Sequence, residues 1–313
     1  MTDTCTATAP SSTANLGPGF DIFGLALDLF EDKVKLTRKH SKNNKITINQ
    51  IIQSGSEVPI ETEQNSSGLV VRKMAKDFGI LYDIEIDIFK GVPSGYGIGS
   101  SSASSVAAAF AFNKLFELKI NDNRLVDYAA EGEIASAGTK HYDNVASSLL
   151  GGFVIVRNSP KIEFIKIEPP SDLNIIVGIP QITVPKKKTE AARNILPKNV
   201  SLENVIQNIS NASTVVAGFA LKDVHMISKG IDDMIIEPVR KKLIPSYEIV
   251  KKYALDAGAL AFTISGAGPS IIAILKTDRN SENILNAIQA GFNESHIASK
   301  VYLCKASSGA KII

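Results

Sequence analysis

Cysteine is scarce in this chain. Cys5 and Cys304 are the only two among 313 residues, and no C-x-x-C occurs. That excludes a disulfide framework and a thiolate zinc site, and two reduced thiols are expected. No apolar run approaches the roughly 18 residues that a membrane span requires. The opening MTDTCTATAPSSTANLG has no basic n-region and no apolar h-region, so a secretory signal is not expected. Charge of one sign is missing too. With 34 Lys and Arg against 32 Asp and Glu, the net charge is +2 and the basic residues are scattered. Neither a nucleic-acid face nor a membrane patch is expected. The one basic run, Lys186 to Lys188, reads as a solvated surface turn. Internal repeats and low-complexity tracts are also missing. What remains is an ordinary globular composition, 44% hydrophobic and 21% charged, long enough for one large or two ordinary domains. A cytoplasmic protein is expected.

One further absence is local. The stretch GVPSGYGIGSSSASSVAAAF, Gly91 to Phe110, has four glycines and a cluster of serines but no lysine. A loop of the form G-x-x-x-x-G-K-[ST] is therefore excluded. The fingerprint G-x-G-x-x-G cannot be placed on Gly95, Gly97 and Gly99, because position 102 is Ser. YDIEIDIFK precedes the stretch and alternates as a strand does, with Ile84, Ile86 and Ile88 on one face. SSASSVAAAFAFNKLFEL follows with helical spacing and a run of alanines. A strand that enters a helix through glycines aims the helix N-terminus at the loop. There the first amide N–H groups lack partners and the dipole is positive, so an anion is welcome. The serines can cap the helix or offer hydroxyls to an anion or metal. A plain strand-to-helix turn with serine N-caps is the alternative.

Other segments alternate strand and helix. KVKLTR and KITINQII read as strands, and GLVVRKMAKDFGI as a helix ending at Gly79. NRLVDYAAEGEIASAG reads as one helix ending near Gly138. FVIVRN is a strand, and KIEFIKIEPPSDLNIIVGIP holds two strand-like runs around a proline pair, the expected domain boundary. Helical segments follow, with a turn at EPVRKKLIPS. The chain closes with helix SYEIVKKYALDAG, strands ALAFTIS and SIIAILK around the loop GAGP, a helix, and strand KVYLCKAS. This pattern is α+β in two lobes rather than a doubly wound parallel sheet.

Two more glycine stretches stand out. APSSTANLGPGFDIFGLALD places Asn15, Gly17, Gly19 and Asp21 in a tight turn, and TISGAGPSIIAIL places a loop between two buried strands. Taken with Gly91–Phe110, they resemble the GHMP kinase superfamily and, within it, the homoserine kinases. The first is close to P-x-S-A-N-L-G-P-G-F-D, the second to P-x-x-x-G-L-G-S-S-A-A, and the last to S-G-A-G-P-S. EIASAGTKHYDNVASSLLGG is similar to E-x-x-A-S-G-x-x-H-x-D-N-V-A-P. Ile98, Tyr96, Ser147 and Ala137 depart from these patterns without removing a functional group.

The resemblance implies a ribosomal protein S5 domain 2-like ATP-binding domain over 1–168 and a ferredoxin-like domain over 169–313. It implies ATP wrapped by Pro93, Ser94, Gly95, Tyr96, Gly97, Ile98, Gly99, Ser100, Ser101, Ser102 and Ala103, and Mg²⁺ on Ser101 and Glu133. Asn65 would touch the adenine side; as a residue it serves equally as an N-cap. A substrate with an ammonium and a carboxylate would meet Asp21, Arg193 and Arg240, with Asn15, His141, Asn144, Thr189 and Gly266 completing the pocket. Asn144 replaces an acid that acts as base in several relatives. Asp143 is next to it, and neighbouring side chains usually point apart. The implied activity is phosphorylation of L-homoserine for threonine synthesis, with a homodimer suggested by the family. A mevalonate-like acceptor or a non-catalytic nucleotide-binding regulator are the alternatives.

Overall fold

The computed structural model describes residues 3–40, 43–53, 58–157, 160–185 and 188–313, without the side chains of Ser136 and Ala137. Lys186 and Lys187 of the basic run lie outside the described residues, as does the Ala137 side chain.

β1 (Thr4–Asn15) and β2 (Gly19–Lys39) make a long antiparallel hairpin. Its turn is the NLGPG stretch, where Asn15, Leu16 and Gly17 all have positive φ. β3 (Ile46–Ile52) leads through α1 (Ser66–Asp77) to β4 (Asp83–Phe89), which pairs in parallel with β3 and antiparallel with β2. The alternation of β4 is realised: Ile84, Ile86 and Ile88 are buried against the helices. Next come α2 (Ser100–Leu115), α3 (Asp122–Ala130), α4 (Glu133–Ala137) and α5 (Asp143–Leu150), then strands β5 (Phe153–Arg157) and β6 (Glu163–Ile167). α2 is central, and its Ala103, Ala107, Ala108, Ala109 and Ala111 are fully buried. Small side chains let the sheet and the other helices close on it from several sides.

The second lobe starts with β7 (Asn174–Pro180), followed by α6 (Lys188–Asn194), α7 (Leu202–Leu221), α8 (Val224–Gly230), α9 (Glu237–Arg240) and α10 (Tyr247–Asp256). β8 (Ala261–Ile264), β9 (Ile271–Leu275), α11 (Ser281–Glu294) and β10 (Ser299–Cys304) complete it. The sheet order is β10-β7-β9-β8, all antiparallel, so the last strand lies beside the first as in a ferredoxin-like unit. The final strand, β11 (Lys311–Ile312), returns to the first sheet and pairs with β1 at Ala7 and Thr8.

A shared core joins the lobes. Leu25, Leu27 and Phe153 of the first pack with Ile175, Val177 and Phe219 of the second. The rings of Phe153 and Phe219 stack, with centroids 3.9 Å apart and planes 5° from parallel. Cys5 and Cys304 are buried free thiols. Among the described residues no helix is long and apolar enough to cross a membrane.

Two expectations change. Residues 123–138 are not one helix but α3 and α4, separated at Glu131 and Gly132. The chain tightens there to i→i+3 bonds, such as Gly132 N–H to Ala129 O at 3.1 Å. The glycine at this point is set by close packing: a Cβ on Gly132 would lie 2.0 Å from Ser105 Oγ and 2.7 Å from Ser66 O. EPVRKKLIPS is also not a plain turn. It forms α9 and a 3₁₀ turn over Lys241–Leu243, and Ser246 in the left-handed region starts α10.

Candidate active site

The three glycine stretches meet and bond to one another. Ser12 N–H donates to Ile98 O at 3.2 Å, and Ser270 N–H to Tyr96 O at 3.2 Å. Ser265 Oγ donates to Gly97 O at 2.8 Å. Gly266 N–H donates to Ala14 O at 3.2 Å, and Asn15 Nδ2 returns a bond to Gly266 O at 2.9 Å. Three successive carbonyls of the 94–99 loop are therefore engaged from behind. Among the described residues, the N–H groups of Gly95 through Gly99 make no backbone hydrogen bond. Amides shielded from water need partners, and Gly95, Gly97 and Gly99 line an open cavity of about 1180 Å³.

Glycine is required here by space as well as angle. Gly97 has φ 79°, and a Cβ would meet Ser265 O at 2.4 Å and Gly268 O at 2.6 Å. Gly99, the left-handed N-cap of α2, has no room because Ser12 Oγ would be 2.2 Å away.

The serines do not cap the helix. No side chain caps α2, because each hydroxyl is used elsewhere. Ser100 Oγ donates back to Val92 O at 2.8 Å. Ser101 and Ser102 each donate to Glu133 Oε1 at 2.8 Å. Ser104 donates to Asp32 Oδ2 at 2.6 Å. The helix end is left for an anion, and the reading as a serine-capped turn fails.

Beneath the loop lies a buried ion pair that sequence reasoning missed. Lys90 precedes the glycine loop and reaches Asp32, Ser100 O at 2.9 Å and Ser104 Oγ at 2.9 Å. Asp32, fully buried, also accepts from Gly91 N–H at 3.0 Å and Val92 N–H at 2.9 Å. All polar ends of this pair are satisfied, as a buried pair requires. The partners are far apart in sequence, so no local pattern announces them.

Glu133 opens α4 and is 7% exposed. Burial pushes its carboxyl above the usual range, opposed by the two serine hydroxyls and the charge of Lys90. Ser101, Ser102 and Glu133 form a hard oxygen set at the positive end of α2. These donors fit Mg²⁺, which prefers oxygen, keeps several waters and shares substrate phosphates rather than filling a protein cage. Among the described residues no group of three or more His, Cys, Asp or Glu could hold a metal ion.

Asp21 and Arg193 meet across the cavity. Arg193 Nη2 donates to both carboxylate oxygens, at 2.6 and 2.7 Å, and lies 3.0 Å from His141 Nδ1. Burial and the Arg193 charge hold His141 below its ordinary pKa, so the neutral ring accepts from the guanidinium. Arg240 is 4% exposed and donates to Gly266 O at 3.2 Å. Burial and Arg193 push it down to about 10, still a cation at neutral pH. Phe20 also escaped sequence reasoning; Arg193 and Arg240 stack on its ring at 5.2 and 4.8 Å. Asn144 Oδ1 accepts from Ser12 Oγ at 2.9 Å, which leaves its amide NH₂ as donor.

Most expected residues share this cavity: Asn15, Asp21, Asn65, Ser94, Gly95, Gly97, Gly99 to Ser102, Glu133, His141, Asn144, Thr189, Arg193, Arg240 and Gly266. Pro93, Tyr96, Ile98 and Ala103 do not line it. Ile98 and Ala103 are core residues, and Tyr96 OH donates to Ile182 O at 3.1 Å. Asn65 is the N-cap of α1. Its Oδ1 accepts from Ser67 and Gly68 N–H, and one N–H of its Nδ2 donates to Pro59 O at 2.8 Å.

Two expectations about charge are overturned. Asp143 lines the cavity together with Asn144. Successive residues differ by about 100° around a helix, and at its first turn both can face the same opening. Burial and the charge of Asp21 push Asp143 up to about 7. Lys188 is no solvated surface residue. It begins α6, lines the cavity and donates to Gly268 O.

A loop of unengaged amides at a helix N-terminus, backed by two further glycine loops, is the architecture of a GHMP kinase. The GHMP kinases N terminal domain family matches residues 65–152, and the GHMP kinases C terminal family matches 215–294. Homoserine kinase of Thermoplasma volcanium is 38% identical over 281 residues, 90% of this chain and 87% of that protein. Homoserine kinase of Methanococcus maripaludis is 39% identical over 283 residues, covering 90% and 91%. The crystal structure of homoserine kinase from Cytophaga hutchinsonii matches with a TM-score of 0.92 and 37% identity, over 100% of this chain and 98% of that one. The chain belongs to the homoserine kinase family.

Proposed function

We propose that this chain transfers the γ-phosphoryl group of ATP to the side-chain hydroxyl of L-homoserine, giving O-phospho-L-homoserine on the route to threonine. One observation carries the choice of acceptor: Asp21, Arg193 and Arg240 line the same cavity as the amide-bordered loop. An amino acid offers the opposite charges. Its ammonium replaces Arg193 on Asp21, and its carboxylate takes the guanidinium groups. Mevalonate has no ammonium for Asp21.

The loop amides of Gly95 to Gly99 and the α2 N-terminus hold the triphosphate. The apolar end of the cavity, with Ile51, Val58, Pro59 and Ile60, receives the base, and Asn65 keeps that end in place. Ser101 and Glu133 would hold Mg²⁺, which supplies charge neutralisation at the phosphates. Asn144 directs its amide NH₂ at the acceptor, with Asn15, His141, Thr189 and Gly266 around it. No carboxylate base is invoked. A loose phosphoryl-transfer transition state needs little base assistance, and positioning with charge stabilisation carries the rate. The lobes divide near 168/169, and the family makes a homodimer and a cytoplasmic location part of the proposal.

The test is ADP release, coupled to a spectrophotometric readout, over a panel of alcohols. Turnover with L-homoserine is expected. Turnover with mevalonate and none with homoserine overturns the acceptor; no turnover with any acceptor, despite ATP binding, favours a regulator.

A further inference from the structure

We propose that Lys188 is a catalytic residue, whose ammonium group contacts the phosphoryl oxygens of ATP above the centre of the 94–99 loop. The inference rests on the phosphoryl-transfer reading and assigns a residue to it. The loop itself contains no lysine. Lys188 delivers one from the other lobe, five residues before Arg193 on α6.

Three observations converge. First, Lys188 lines the same cavity as Gly95, Gly97 and Gly99. Its Nζ donates to Gly268 O, the same carbonyl that a Cβ on Gly97 would meet at 2.6 Å. The amine and the middle of the loop thus share one oxygen as a common neighbour. Second, no carboxylate forms an ion pair with it among the described residues. Lys90 and Arg193 have Asp32 and Asp21, whereas Lys188 has a carbonyl. Third, its surroundings are cationic. Burial, then the charge of Arg240, push its pKa down to about 7. A half-buried ammonium without a counter-anion is costly, and a phosphate brought into this cavity is the partner that relieves the cost.

Position on the transferring group follows from geometry. Gly97 lies at the middle of the loop and Arg193 on the acceptor side, and Lys188 shares the Gly268 carbonyl with the first and α6 with the second. A lysine there neutralises charge on the phosphates as transfer proceeds and binds them as a point charge.

The experiment compares Lys188→Met, which keeps length and removes charge, with Lys188→Arg. Steady-state kinetics are run against ATP and homoserine, alongside calorimetric titration with AMP and a nonhydrolysable ATP analogue. For Lys188→Met, kcat/KM for ATP should fall about 10²–10³-fold, with the homoserine KM within about threefold. Affinity for the ATP analogue should fall while that for AMP holds, and Lys188→Arg should recover part of the loss. ATP kinetics and analogue affinity within about threefold of wild type overturn the proposal. So does a raised homoserine KM with ATP binding intact, which would put the ammonium on the acceptor. If the wild-type enzyme does not use homoserine, the acceptor reading fails, and the nucleotide titrations still decide where Lys188 acts.

Discussion

Replacing Asp143 by Asn tests both the electrostatics and the chemistry of this site. Asp143 is 5% exposed, and its Oδ1 accepts from the N–H of Asn144 at 2.8 Å. Burial, with the nearby Asp21 charge, lifts its pKa from 3.8 to about 7. A tenfold change in an ionisation constant is worth about 1.4 kcal/mol, so ionising Asp143 in the native state costs roughly 4 kcal/mol. The sign follows. The folded chain binds the proton more tightly than the unfolded chain, so this contribution is fully present below the unfolded pKa. It is lost as pH rises towards and through about 7. Asparagine keeps the acceptor oxygen and cannot ionise. Urea unfolding at several pH values should therefore show the Asp143→Asn variant gaining on wild type by roughly 2–3 kcal/mol between pH 5 and pH 8. A difference between variant and wild type that does not change with pH refutes the electrostatic reasoning. The same protein reports on catalysis. If positioning rather than proton abstraction drives transfer, kcat at pH 8 stays within about fivefold. A loss of about 10²–10⁴-fold would give Asp143 the hydroxyl proton instead.

Glu133→Gln retains an acceptor for Ser101 and Ser102 but removes the charge. Turnover should fall by about 10²-fold or more and require more Mg²⁺, with the melting temperature nearly unchanged, as a Mg²⁺ titration of activity and a thermal melt would show. Arg193→Ala should raise the homoserine KM by about 10–100-fold and leave the ATP KM within about twofold; an unchanged homoserine KM would make Arg193 a structural partner of Asp21 only. Phe219→Ala removes a ring that is 1% exposed and stacked on Phe153. It should cost about 3–5 kcal/mol in urea unfolding, because a cavity opens in the core shared by both lobes.

What the sequence makes legible, and what it hides, divides along a physical line. Local backbone demands leave local signatures. Gly97 and Gly99 need positive φ and lack room for a Cβ, so glycine stands there and the loop is visible. The alternation of Ile84, Ile86 and Ile88 reports one buried face directly. Long-range contacts leave none. The pair Asp32–Lys90 spans 58 positions, and neither residue looks unusual beside its neighbours. Ser105 and Ser66 of two other helices crowd Gly132, while the helical spacing of residues 123–138 runs straight through the break there. Lys188 sits in a run of three lysines, a pattern that usually means solvent. The expectation that the side chains of Asp143 and Asn144 point apart fails because both stand in the first turn of a helix.

On the proposed function, the carbonyls of the loop explain how a phosphate site forms without a lysine in its own chain segment. A peptide plane has two polar ends, and fixing one orients the other. Ser270 N–H, Ser265 Oγ and Ser12 N–H hold the carbonyls of Tyr96, Gly97 and Ile98. The positive φ of Gly95, Gly97 and Gly99 lets successive planes be held in that way. Since the bonds come from β1 in one lobe and the β8–β9 loop in the other, the oriented amides depend on both lobes being docked. The two-lobed fold is thus part of the electrostatics: dipoles already aimed need no reorganisation when charge moves through the transition state. Lys188 follows the same logic, since an ammonium held against Gly268 O reaches the loop only when the second lobe is in place.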